Sequence, residues 1–184
     1  MDKTADLLKE LTEACGVPGH EAEVRAVVQR HPQPFGTLAR DQVGSLICEL
    51  TGGVERPRIM LVGHMDEIGF MVRHITPDGF LRFLPLGGWS DQVLLGQRVA
   101  VQTTRGKILG VIGAKPPHLT TPEERKKIVD KKGMYIDIGA GSRAEVEATG
   151  VRVGDPVFPW ADFHILANEN TYLSKPLMTA WEPL

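Results

Sequence analysis

Residues 58–70 read Arg58-Ile59-Met60-Leu61-Val62-Gly63-His64-Met65-Asp66-Glu67-Ile68-Gly69-Phe70, and two textures of sequence meet there. The run Ile59 to Val62 is apolar without alternation, the pattern of a strand covered on both faces. Upstream lie two helical stretches. In the first, Leu7, Leu11 and Cys15 recur at helical spacing behind Thr4, a residue suited to an N-cap. In the second, Val24, Val27 and Val28 share a stripe that Pro32 and Pro34 stop. A further strand over 44–50 precedes the turn at Thr51-Gly52-Gly53. Helices beside a doubly covered strand predict an α/β layer.

Downstream of Ile68 the texture changes. The segments 69–75, 80–84, 98–103 and 107–112 are short and rich in β-branched or aromatic residues. Pro77-Asp78-Gly79, Gly87-Gly88 and Arg105-Gly106 punctuate them as turns. Strands near 135–138 and 156–159 and short helices over 122–129 and 142–149 complete a small β-barrel, inserted over residues 69–161. A strand pair, 163–167 and 171–173, returns the chain to the first layer, so residues 1–68 and 162–184 make up the α/β part.

Composition excludes several classes of function. The 184 residues are 42% hydrophobic and 24% charged with a net charge of -2, which offers no field for nucleic acid or an anionic membrane surface. The basic runs Arg125-Lys126-Lys127 and Lys131-Lys132 stand beside Glu123, Glu124 and Asp130 and read as a solvated face. No uncharged apolar run is long enough to span a bilayer, and the acid-bearing N-terminal stretch is not a signal peptide. Cys15 and Cys48 have no motif spacing and read as buried free thiols of a cytoplasmic protein.

The chemistry gathers at His64, Asp66 and Glu67. A strand that ends at Gly63 would deliver them at its carboxyl end, where open α/β sheets place their sites. Neutral imidazole is a good ligand for zinc or cobalt, and Asp66, two residues on, reaches the same side to orient the ring. Taken alone, His-x-Asp is equally the pattern of an ordinary surface or core pair. Lys115-Pro116-Pro117-His118 reads as a stiff turn, and His118 is not assigned to a metal.

The stretches LTEACGVPGHEAEVR, DQVGSLI, IMLVGHMDEIGFMV, GFLRFLPLGGW, GVIGAKPPH, EERKK and MYIDIGAGSRAE follow one another in the chain. In that order they resemble the tetrahedral glutamyl/leucyl aminopeptidases of metallopeptidase family forty-two, some of which carry the label endoglucanase. The resemblance runs from about residue 6 to Lys175. It implies a partial zinc-peptidase-like α/β/α domain with an inserted PDZ-like β-barrel, and removal of N-terminal residues from peptides by a metal-activated water. It implies two divalent ions, zinc or cobalt, with His64 as a metal ligand and Asp66 as its catalytic support. Glu67 would shape the pocket. It also implies self-association, from dimers to dodecamers.

The resemblance stops at Lys175. The family continues there with a segment close to Lys-Ala-aromatic-Asp-Asp-Arg, which carries the bridging aspartate; the general base and the remaining ligands come later. Here Pro176-Leu177-Met178-Thr179-Ala180-Trp181-Glu182-Pro183-Leu184 follows. Loss of a single G after the Lys175 codon of a gene encoding Lys-Ala-Phe-Asp-Asp-Arg-Leu-Gly-Ala yields the residues from Lys175 to Pro183. Residues 176–184 are therefore expected to be a frameshifted tail. One imidazole without those partners is expected to bind a single metal weakly at most and to turn over no peptide. The contrasting expectation is a non-catalytic self-association module derived from such an enzyme.

Overall fold

The helical spacing of Leu7 and Leu11 is realised in α1, Lys3–Glu13, in a computed structural model that describes residues 3–31 and 36–175. Thr4 lies within the first turn of α1 rather than capping it. The second stretch forms α2, Ala22–Arg30, and the two helices close on Ala14, Val24 and Val27, with Met65 laid against them. Pro32 and Pro34, read as the stop of α2, and the tail 176–184 lie outside the described residues.

Two strands follow, β1 (Thr37–Arg40) and β2 (Leu46–Glu49), paired antiparallel from Thr37↔Glu49 to Arg40↔Leu46. Their turn is set by Asp41, whose Oδ1 accepts from the backbone N–H groups of Val43, Gly44 and Ser45 at 3.1, 2.8 and 2.8 Å. A hydrogen bond with the Ser45 side chain, and after it these backbone bonds, hold the Asp41 carboxyl below its usual range. Both cysteines are free, as expected, but only Cys15 is buried. Cys48 is exposed because no other element among the described residues covers its hairpin.

The expected strand over 59–62 is not formed. Ile59, Met60, Leu61 and Val62 are 83%, 84%, 93% and 81% exposed and carry no ladder. A strand of this composition is stable only between neighbouring strands and under cover on both faces. Among the described residues β1 and β2 satisfy one another, and nothing else is offered.

Beyond Ile68 the expected barrel is present and closed. Its strands are β3 (Gly69–Ile75), β4 (Leu81–Leu86), β5 (Arg98–Thr103), β6 (Gly106–Gly113), β7 (Tyr135–Asp137) and β8 (Pro156–Pro159), in the spatial order β3-β4-β7-β6-β5-β8. Inward residues such as Phe70, Val72, Leu81, Val101, Ile136 and Val157 fill it, with Phe83 edge-on to Phe70 at 4.9 Å. The turn before β4 requires Gly79: its φ is +85°, and a Cβ there would stand 2.3 Å from the Ala140 carbonyl oxygen.

Two helices decorate the barrel. Helix α3, Pro122–Arg125, stops short of the predicted 122–129 because no apolar face is buried to extend it; Ile128 is exposed. Helix α4, Arg143–Thr149, begins on the Ser142 cap, ends on Gly150 at φ +95°, and drives Val146 into the barrel core. A short hairpin, β9 (His164–Ile165) with β10 (Tyr172–Leu173), is the reduced form of the returning pair. Among the described residues no helix is long and apolar enough to cross a membrane.

Candidate metal centre

Residues 64–67 alternate in direction although they form no strand. Met65 packs on the N-terminal helices and Glu67 turns inward to Gly16 and Lys175, while His64 and Asp66 are exposed. His64 Nδ1 stands 3.0 Å from Asp66 Oδ1 and also 3.0 Å from the Asp66 carbonyl oxygen. A proton on Nδ1 donated to Asp66 leaves the Nε2 lone pair as the free donor, the tautomer a metal-bound imidazole needs. The pair is at the surface, the two side chains 40% and 46% exposed.

One imidazole does not make a metal site. Zinc takes at least three protein ligands in catalytic centres, and no group of three His, Cys, Asp or Glu side chains able to hold a metal occurs among the described residues. The donors present do not by themselves fit the ion that the sequence implies. His118 stays apart, in a 3-10 turn over Pro117–Leu119.

Glu67 is placed differently from its neighbours. It is nearly buried and pairs with Lys175 Nζ at 2.5 Å. Its Oε1 accepts from Gly16 N–H at 3.0 Å, and its own N–H donates to the Gly16 carbonyl at 2.7 Å. Lys175 Nζ also donates to the Ala14 carbonyl and lies 4.8 Å above the Phe158 ring. Burial raises the Glu67 carboxyl above its usual range, and the nearby Lys175 charge opposes that rise without cancelling it. Close by, Glu23 accepts from the Cys15 N–H at 2.9 Å and pairs with Lys107 Nζ at 2.8 Å. The same turn buries the Cys15 thiol and pushes it up to about 11.

This knot binds the turn 14–17, the His64–Glu67 segment, the barrel and the end of the described chain. Sequence reasoning found Glu67 but neither Lys175 nor the Glu23–Lys107 pair. Glu67 and Lys175 are 108 residues apart, and no local pattern announces such a contact.

The geometry sets His64 and Asp66 at the head of an anchored segment, beside a closed barrel, and comparison with known proteins finds the same arrangement of sequence. The M42 glutamyl aminopeptidase family profile matches residues 44–177, and a profile named AMPT matches residues 2–27. The chain belongs to the M42 glutamyl aminopeptidase family. It is 43% identical over 160 residues to the putative aminopeptidase FrvX of Escherichia coli K12, covering 86% of this chain and 44% of that protein. A TET aminopeptidase from a marine sediment Thaumarchaeota archaeon superposes with a TM-score of 0.87 at 47% identity, covering 91% of this chain and 48% of the other. The TET1 peptidase of Pyrococcus horikoshii, which can assemble into a tetrahedron or a large octahedral shell, superposes at 0.77 with 38% identity, over 88% and 48%. Structures labelled endoglucanase are also among the structural neighbours. The chain spans about half the length of the M42 relatives it matches.

Proposed function

We propose that these 184 residues carry the first part of an M42 aminopeptidase centre, in which His64 contributes one ligand to a divalent metal and Asp66 fixes its tautomer. The reading rests on one observation: the His64–Asp66 pair at 3.0 Å, set within the stretch that matches the family. The activity is removal of N-terminal residues from peptides, and the two ions, zinc or cobalt, would supply activated water once the remaining ligands are present. No such group of ligands occurs among the described residues, and we propose that the 184-residue chain alone is inactive and binds a single metal weakly. Glu67 acts in this reading by holding the segment through Lys175 and Gly16 rather than by touching substrate. The domain division 1–68 with 162–184, the insert 69–161 and a cytoplasmic location belong to the same proposal.

The test is metal content and hydrolysis of aminoacyl-p-nitroanilides by the purified chain, with zinc and with cobalt. We expect less than one metal per chain and no turnover. Metal-dependent turnover by these 184 residues would overturn the reading.

A second reading is a self-association module, and the exposed apolar run Ile59–Val62 favours it. Light scattering on the same sample separates the two. A defined metal-free assembly supports the module, whereas stoichiometric metal on a monomer supports a residual enzyme centre.

A further inference from the structure

The barrel wall has a seam. Strand β3 covers one edge of β4 from Gly69↔Leu86 to Ile75↔Leu81, but β7 meets the other edge at Leu81↔Ile136 alone. Past that pair the Met134 carbonyl is taken by Arg82 Nη1 at 2.9 Å, and no ladder partner for residues 82–86 occurs on this side among the described residues. Pro85 lies in this stretch, and proline is a residue that strands keep to their edges.

An open groove of about 620 Å³ lies along the seam. Phe83 lines it although its ring is turned into the core, so it presents backbone there. Leu84 and Pro85 add an apolar floor, and Met134, its side chain buried in the core, presents backbone. Around them stand Arg73, His74, Arg82, Lys131 and Lys132, and no carboxylate lines the groove. Lys131 is engaged with Asp91 at 2.6 Å and the Trp89 carbonyl at 3.2 Å, which ties two loops into one wall. The side chains of Arg73, His74 and Lys132 make no hydrogen bond or ion pair among the described residues, and Arg82 has no acidic partner. On a chain of net charge -2 this is a concentrated positive site.

We propose that the β4–β7 seam binds an acidic peptide segment in extended conformation, added as a strand to the free edge of β4. The strand edge reads peptide backbone, the cations take carboxylates on alternate residues, and the floor takes the apolar residues between them. Nucleic acid fits less well, because the groove exposes no aromatic platform for bases. The inference is independent of the metal-centre reading and uses none of its residues.

Fluorescence anisotropy of a labelled peptide of alternating glutamate and valine, titrated with the full chain, tests it. The all-glutamine counterpart is expected to bind at least about tenfold more weakly, and added salt to weaken the acidic peptide by a similar factor. Arg73→Gln with Lys132→Gln is expected to weaken binding about tenfold while leaving the near-ultraviolet circular dichroism unchanged, since both side chains are exposed and unbonded. N-methylation of alternate peptide amides should abolish binding in one register only. Equal affinity for the acidic and neutral peptides, absence of binding, or indifference to N-methylation overturns the proposal. Full displacement by inorganic phosphate marks a small-anion site and also overturns it. So does a chain-to-chain dimer that the same double substitution dissolves, which would assign the groove to a second copy.

Discussion

Lys175 and Glu67 show how two residues far apart in sequence decide what the His64 segment rests on. Removing the cation by Lys175→Met leaves a carboxylate buried without its counter-charge, a change that costs about 3–5 kcal/mol. We expect that loss in urea unfolding at neutral pH, and expect it to shrink on acidification, because a protonated Glu67 needs no cation. The direction follows from the raised Glu67 carboxyl. The folded chain holds that proton where the unfolded chain has released it. Burial of Glu67 therefore costs nothing below the ordinary carboxylate range and destabilises the fold as pH rises through the raised value, which is where the Lys175 cation comes to be needed. A deficit that is flat with pH would mean that Lys175 acts by packing alone. The two thiols differ as sharply. Cys15, buried and raised to about 11, should resist iodoacetamide in the folded chain at mildly alkaline pH, while exposed Cys48 reacts. Mass spectrometry should find one adduct native and two after denaturation.

At the scale of elements, the caps of α3 and α4 make a controlled comparison. Ser142 Oγ accepts from Glu145 N–H at 3.2 Å and opens α4, which seats Val146 in the barrel. Thr121 and Glu124 form a full capping box on α3, yet α3 is only Pro122–Arg125 and its neighbour Ile128 is exposed. Ser142→Ala should therefore cost about 1 kcal/mol in global unfolding, and Thr121→Ala should leave the midpoint unchanged despite the better cap. Equal losses would show that α3 unfolds with the barrel. The barrel strands were legible in sequence because each is a β-rich run closed by a turn of fixed chemistry, as Pro77-Asp78-Gly79 is. Their spatial order was not, since β7 reaches β4 and β6 across a long excursion and turn signals carry no information on distant partners. At the candidate site His64, Asp66 and Glu67 were legible as chemistry, but Glu67's partner was not. Strand β1 was missed because Thr37-Leu38-Ala39-Arg40 is too short and mixed to show a period.

For the whole molecule, the barrel and the described residues around it bury their apolar side chains unequally. The barrel closes on itself and buries Phe70 and Phe158 almost completely. Outside the barrel, Val43, Val54 and the run Ile59–Val62 stand in solvent. The covered strand expected over Ile59–Val62 is not met: a run of that composition forms a strand only where neighbours pair with it, and sequence alone did not show that none does among the described residues. The imbalance yields opposite outcomes for two substitutions of apolar residues. Phe70→Ala removes a filled core position and should cost about 3–5 kcal/mol in unfolding. Leu61→Asp, at 93% exposed, removes no contact in the isolated chain, so the unfolding free energy should move by no more than about 0.5 kcal/mol. Its effect should fall on association instead, since a charge in an exposed apolar run opposes the burial of that run between chains. Sedimentation across a concentration series should show weaker self-association for Leu61→Asp than for the parent chain. If Leu61→Asp instead unfolds the monomer, the run is covered within the chain itself. If association is unchanged, another surface drives it.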